Sequence, residues 1–338
     1  MIDLKTILCP LTVAASLSAA QPSLTPPAGP VSVSGRDGTR IELSQATAPG
    51  DADSVFRIST PGSYVLTRNL VVPSGMTGIE IATGGVSIDL NGFEISGAGA
   101  IGGSPHGIAV PLFPQAPGPV SLINVSIENG SIRGFFTGID LDESGNAAQL
   151  RTTTRQVRIE RVEVSDVIRG IDVNQDAIIR ACQIDATALG IGIAGGVVSE
   201  CSVRVAGVGA SGVAADNAVL TNVRVFLAEG TSSAVGFGAN NATITNCHVQ
   251  FENAPPPVTA FSVADSHLRG CTAIAGSTQG QGFSVVGSGA HIESCTAIGF
   301  GTAFDVTGQN SLVRGCAAIG SATPAILGAG VVAIDNTF

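Results

Sequence analysis

The sequence of 338 residues has no tryptophan, one tyrosine and few charged side chains, which make up 12% of the chain. A disordered protein needs low hydrophobicity and high charge, so this composition excludes that class. The chain also lacks the regular glycine spacing of collagen and the large share of Ala, Glu, Lys, Leu and Arg that is typical of a coiled coil. Its net charge of −10 argues against nucleic acid as a partner.

Glycine is abundant instead, with 44 residues, and apolar side chains make up 44% of the chain. Beyond the first 20 residues no uncharged apolar run reaches about 18 residues, so we expect no membrane span. This combination favours an all-β protein with many tight turns, long enough for one or two domains.

The N-terminal segment 1–20 has the pattern of a secretory signal peptide. Lys5 lies near the start, an apolar stretch follows, and Ser18, Ala19 and Ala20 form a small-residue cleavage site. We predict a Pro-rich spacer at 21–30 and an N-terminal cap at 31–62. The protein is then expected to be secreted or to lie at the cell surface or in the periplasm.

A repeat runs through the rest of the chain, and six cysteines mark it. They recur every 19 to 24 residues, apart from one gap of 46 that Val223 divides. The cysteines are Cys182, Cys201, Cys247, Cys271, Cys295 and Cys316. The same column extends upstream to Val162, Val125 and Phe93, and apolar residues also recur three positions before it and two after it. Such a period is typical of a solenoid.

The residue just before this column is often Gly or Asn, the two types that best tolerate a left-handed backbone. We therefore predict a sharp bend there in every coil. The ten predicted bend residues are Gly92, Asn124, Arg161, Ala181, Glu200, Asn222, Asn246, Gly270, Ser294 and Gly315.

A further short strand of the form small–apolar–x–apolar precedes these two in each coil, as in Gly138-Ile139-Asp140-Leu141. Three strands per coil predict a single-stranded parallel β-helix over 63–338, with three short parallel sheets and about eleven coils. The pattern resembles the right-handed parallel β-helix of the pectate-lyase-like superfamily, and segment 86–97 is similar to the opening coils of many secreted members. The resemblance implies the fold more strongly than any activity, because one fold hosts many functions.

The stacked cysteines have two interpretations. Adjacent coils lie about 4.8 Å apart, so disulfides 182–201, 247–271 and 295–316 are geometrically allowed. Valine occupies the same column in other coils, so apolar packing of free thiols also explains it, and we favour that interpretation.

Two predicted loop insertions, 111–119 and 142–156, interrupt the regular coils where charged residues are concentrated. Close to them, Asp140 and Asp172 occupy equivalent outward positions on neighbouring coils, with Asp142 and Asn174 two residues further on. Adjacent carboxylates repel unless a cation or a shared proton relieves them. The four side chains therefore predict either a Ca²⁺ site or a carboxyl with a raised pKa that acts as a general acid. A third interpretation is a plain solvated surface.

In the enzymes that this fold resembles, the corresponding sheet forms the substrate groove for a polysaccharide. The resemblance thus implies a groove near 106–176 for a polysaccharide lyase or glycoside hydrolase. The candidate catalytic residues are Asp140, Asp172, His106, Arg133 and Arg169, and further groove candidates are Arg151, Arg155 and Asp176. The chain lacks the paired-Asp hydrolase signature with its Gly-His-Gly segment, so the sequence leaves open whether the protein is an enzyme. The alternative is a non-catalytic surface, adhesin or structural protein that self-associates through an uncapped C-terminal coil.

Overall fold

The computed structural model describes residues 40–99, 105–111, 121–142, 153–228, 232–252, 257–275 and 280–338. The predicted signal peptide and spacer, and most of both predicted insertions, lie outside these ranges. Within them the chain forms β-strands and no helix. No helix in this part of the chain is therefore long and apolar enough to cross a membrane.

The strands, in chain order, are β1 (Ile41–Glu42), β2 (Ser54–Ile58), β3 (Gly62–Val65), β4 (Leu70–Val71), β5 (Thr77–Ile81), β6 (Val86–Asp89), β7 (Glu94–Ser96), β8 (His106–Ala109), β9 (Ser121–Asp140), β10 (Thr153–Val173), β11 (Ala177–Arg180), β12 (Gln183–Ile193), β13 (Gly196–Ser199), β14 (Ser202–Val205), β15 (Ser211–Asp216), β16 (Ala218–Thr221), β17 (Arg224–Leu227), β18 (Val235–Asn240), β19 (Thr243–Thr245), β20 (His248–Phe251), β21 (Thr259–Ala264), β22 (His267–Arg269), β23 (Thr272–Ile274), β24 (Gln281–Val286), β25 (His291–Glu293), β26 (Thr296–Ile298), β27 (Thr302–Val306), β28 (Leu312–Arg314), β29 (Ala317–Ile319), β30 (Thr323–Leu327) and β31 (Val332–Ile334).

Each strand pairs in parallel with its equivalent in the next coil, and these pairings form three faces of a right-handed β-helix of about eleven coils. The first face contains β2, β5, β8, the C-terminal ends of β9, β10 and β12, then β15, β18, β21, β24, β27 and β30. The predicted fold class is confirmed. The described part of the predicted cap also pairs in parallel, β1 with β3 and β2 with β5.

Nine of the ten predicted bends are confirmed, whereas Asn124 lies at an earlier bend of its coil, equivalent to Gly85 and Gln156. The φ angles at the nine bends are positive and range from 52° at Asn246 to 77° at Gly92. Arg161, Ala181 and Glu200 adopt this backbone although they are not the types that favour it. The stacking of successive coils therefore determines the bend, and the local sequence only makes it easier.

The predicted alignment is wrong at Val125. Val125 pairs with Val86 and Val157, whereas Gly130 stands opposite Val162. Val125 and its two flanking columns were thus placed five residues too early. The reason is steric, because a Cβ on Gly130 would lie 2.3 Å from the Cβ of Leu90. Glycine is required at a position where the later coils, from Val162 to Cys316, have an apolar side chain.

The interior is a continuous apolar core. Phe237, Phe261, Phe283 and Phe304 stack along it in nearly parallel pairs, with ring centroids 4.8 to 5.0 Å apart. Phe338 packs against the last of these rings at 5.6 Å. The six repeat cysteines are buried and free. The core supports the first face along the whole of its length, and that face carries the site.

Candidate functional site

The first face carries two neighbouring columns of side chains, one from each of two positions in the strands. The acid column contains, in consecutive coils, Glu80, Ala109, Asp140, Asp172 and Gly192. The polar column contains His106, Thr137 and Arg169 on β8, β9 and β10. Because the strands are in register, the two columns lie side by side over three coils.

Asp140 and Asp172 stand directly opposite each other on β9 and β10, as predicted. Small residues bracket the pair, with Ala109 on one side and Gly192 on the other. A Cβ on Gly192 would lie 2.5 Å from Oδ1 of Asp172, so the absence of a side chain there makes room for the carboxyl group. Strand register and small neighbours together hold the two acids close.

Burial changes the acidity of both groups. Burial and, after it, the charge of Asp172 raise the pKa of Asp140 to about 7, although the backbone N–H of Asp142, which donates to Oδ1 at 3.2 Å, opposes the shift. The pKa of Asp172 is also raised by burial, although Arg169 donates a hydrogen bond to its Oδ2 and works against this. Asp140 is thus a carboxyl that is half-protonated near neutral pH.

His106 lies beside this carboxyl, with Nδ1 3.4 Å from Oδ2 of Asp140. Burial, and then the positive charge of Arg169, lowers the pKa of His106 to about 4. Between pH 4 and pH 7 the imidazole is therefore neutral next to a carboxyl that still holds its proton. A carboxyl that still holds its proton in this range can donate it to a ligand as a general acid.

The polar column has hydrogen-bonding capacity that the protein does not use. Four buried side-chain atoms in the described part of the chain lack a hydrogen-bond partner, and three are His106 Nδ1, Thr137 Oγ1 and Arg169 Nε. Thr137 is only 1% exposed. Buried polar atoms are nearly always satisfied, so three of them on adjacent coils indicate a place that a ligand or water completes.

Sequence reasoning missed Thr137. Thr137 stands opposite both His106 and Arg169 in the register. A comparison of the residues that open each first-face strand would have found it, because the position reads His, Thr and Arg in three successive coils.

Other candidates lie apart from the two columns. Arg133 lies on the third face, formed by β4, β7 and their equivalents, where its Nε is 2.9 Å from Oε2 of Glu94. Arg155 is exposed near the start of β10, and Asp176 is exposed at a bend with a φ of 57°. Arg151 lies outside the described residues.

The four predicted Ca²⁺ ligands are the acid pair and the residues two positions after each acid, Asp142 and Asn174. Asp142 and Asn174 are half-buried at the ends of β9 and β10, next to the acid pair. Arg169 already supplies a positive charge against Asp172. In the described ranges, no group of three or more His, Cys, Asp or Glu side chains is arranged to hold a metal ion. The geometry favours the proton-donor interpretation of the acid pair.

No protein-family model matches the sequence, and a comparison with curated proteins finds no relative. Among solved structures, the chain is similar to a mannuronan C-5 epimerase A-module from Azotobacter vinelandii, with 14% identity over 82% of this chain and 91% of that one, at a TM-score of 0.47. It is similar to an alginate lyase from Paenibacillus sp. str. FPU-7, with 14% identity, coverage of 88% and 99%, and a TM-score of 0.42. A DFA-IIIase from Arthrobacter chlorophenolicus A6 gives 15% identity, coverage of 81% and 78%, and a TM-score of 0.44. These similarities are too low to assign any residue a role.

Proposed function

We propose that this protein is a carbohydrate-active enzyme, a polysaccharide lyase or glycoside hydrolase, that uses Asp140 as an acid–base residue on the first face. One observation carries the proposal. Three buried polar atoms without partners, on His106, Thr137 and Arg169, lie beside the half-buried carboxyl group of Asp140 and the buried one of Asp172. A ligand rich in hydroxyl groups both donates and accepts hydrogen bonds, so a sugar chain is the chemical class that would satisfy all three.

Asp140 is suited to proton transfer because its pKa is close to neutral pH. The neutral His106 keeps this carboxyl in a site of low charge, and Arg169 balances Asp172. Hydrolysis and elimination of a sugar chain both require a proton on the leaving oxygen, so the site serves either reaction.

The proposal is tested by incubating the full chain with polygalacturonate, alginate, sulfated glycans and neutral glycans, with Ca²⁺ or with EDTA. We expect one class to be cleaved, and Asp140→Asn to lose at least about 100-fold in rate. The EDTA arm tests the Ca²⁺ prediction separately. Asp185→Asn, which removes an exposed carboxyl elsewhere, is the matched control. Cleavage that survives Asp140→Asn unchanged would refute the assignment of this site.

A second candidate function is self-association through β30 and β31. The last coil exposes a set of large apolar side chains. They are Ile319, Ile326, Leu327, Val332, Ile334 and Phe338. Exposed apolar surface of this kind favours contact with another chain. A second copy of this protein is the proposed partner.

Sedimentation at increasing concentration of the full chain tests the second candidate. We expect a dimer or larger species that Val332→Glu with Ile334→Glu returns to a monomer. A monomer at every concentration would refute it.

A further inference from the structure

Glu80 shares a column with the acid pair. Its partner in the next coil is Ala109, and the partner of Ala109 is Asp140. Neighbouring strands are about 4.8 Å apart, so the Cα atoms of Glu80 and Asp140 lie about 9.6 Å apart. One coil separates the two carboxyl groups, and in this column that coil contributes only a methyl group.

Glu80 is almost fully buried, at 5% exposure. Its Oε2 lies 2.6 Å from a guanidinium nitrogen of Arg57, which also pairs with Asp51 at 2.6 Å. Burial raises the pKa of Glu80 to about 7, while the charge of Arg57 lowers it and those of Asp51 and Asp53 raise it. Glu80 thus titrates in the same range as Asp140.

The intervening coil brings the two columns together. β8 supplies both Ala109, between the carboxyl groups, and His106, which contacts Asp140. A ligand lying over Ala109 would have Asp140 and His106 at one end and Glu80 at the other. Ala109 is itself buried, at 5% exposure, and places only a methyl group between the two carboxyl groups.

We propose that Glu80 is the second acid–base residue of the site, and that the sugar chain crosses Ala109 with its reacting bond between Glu80 and Asp140. This inference rests on the proposed function. In the reaction, Asp140 gives its proton to the leaving oxygen, which keeps the electron pair of the broken C–O bond. In hydrolysis, Glu80 takes a proton from the attacking water, whose oxygen forms the new bond to the sugar carbon. In elimination, Glu80 takes a proton from the neighbouring sugar carbon, and the electron pair of that C–H bond becomes the new C=C bond. The protein gains one proton and loses one, and no oxidant or reductant takes part.

Three variants of the full chain test this on the glycan that the screen identifies. Glu80→Gln should lower kcat by at least about 100-fold and remove the low-pH limb of the rate profile, because that limb reports the base. Ala109→Leu keeps both carboxyl groups and should raise KM at least about tenfold by obstructing the path. Asp89→Asn is the matched control, since Asp89 is similarly buried and paired with Arg40 at 2.7 Å outside the acid column. It should leave kcat and the pH profile unchanged.

The outcomes separate the two proposals. If Asp140→Asn abolishes cleavage while Glu80→Gln keeps kcat and both limbs, the role of Glu80 is overturned and the proposed function stands. If the wild-type protein cleaves no glycan, the proposed function fails and this inference falls with it. If Glu80→Gln does not fold, Ala109→Leu decides, and an unchanged KM overturns the inference.

Discussion

Ionisation of Asp140 should lower the free energy of unfolding at neutral and alkaline pH, and Asp140→Asn should remove this destabilisation. Burial and the charge of Asp172 raise the pKa of Asp140 from 3.8 to about 7. Each tenfold change in proton affinity corresponds to about 1.4 kcal/mol, so ionising this carboxyl in the folded protein costs about 4 kcal/mol. Below pH 3.8 the carboxyl is protonated in both the folded and unfolded states, and the cost disappears. It grows as pH rises from 3.8 to 7 and is complete above pH 7.

Urea denaturation of wild type and Asp140→Asn at pH 5 and pH 8.5 measures this effect. The cost at pH 5 is about 1.7 kcal/mol, so the free energy of unfolding of the variant should gain about 2.5 kcal/mol more at pH 8.5 than at pH 5. The lowered pKa of His106, about 4, also makes stability depend on pH, but burial and Arg169 cause it, so its contribution is the same in both proteins and cancels in their difference. Asp185→Asn removes an exposed carboxyl and should change stability by less than about 0.5 kcal/mol at either pH. An equal effect of Asp140→Asn at both pH values would refute the reasoning.

Three further predictions concern neighbouring features. Gly192→Ala places a Cβ against the carboxyl of Asp172, so we expect a rate loss of at least about tenfold with little change in Tm; an unchanged rate would show that this carboxyl moves freely. Thr137→Val removes a buried hydroxyl that has no partner in the protein, so stability should hold or rise by about 1 kcal/mol while sugar binding, measured by calorimetry, weakens; a clear loss of stability would contradict the unsatisfied hydroxyl. Titration of denatured, unreduced protein should find the six repeat cysteines as free thiols, and a shortfall of two would reveal a disulfide.

Most of the fold follows from the sequence because every coil repeats the same steric problem. Apolar residues recur at fixed positions. The bend before the cysteine column could therefore be located in a coil even where Arg161 or Glu200 occupies it. The alignment failed at Gly130 because the space that a side chain would fill is already taken by Leu90. The periodicity of a sequence shows which positions are apolar. It does not show which side chain of an adjacent coil already occupies the space at a given position.

The site was only partly predictable for a related reason. Asp140 and Asp172 could be paired from the strand pattern, since both follow the same small–apolar step. Thr137 is an ordinary polar residue in the sequence, and the strand pattern places Glu80 in the column of Asp140 without showing that it is buried. Their significance comes from burial and from the register, which depend on the stacking of whole coils.

The positions of the acidic groups along the helix axis are measured in whole coils. Glu80 and Asp140 are two coils apart and Asp140 and Asp172 are one coil apart, and backbone pairing rather than loop conformation sets both intervals. Removing a coil beyond Gly192 would shorten the protein and leave these intervals intact. Removing the coil that contains β8 would bring Glu80 next to Asp140 and delete His106 at the same time. The distances between these acidic groups along the axis of the β-helix can therefore change only in steps of one whole coil.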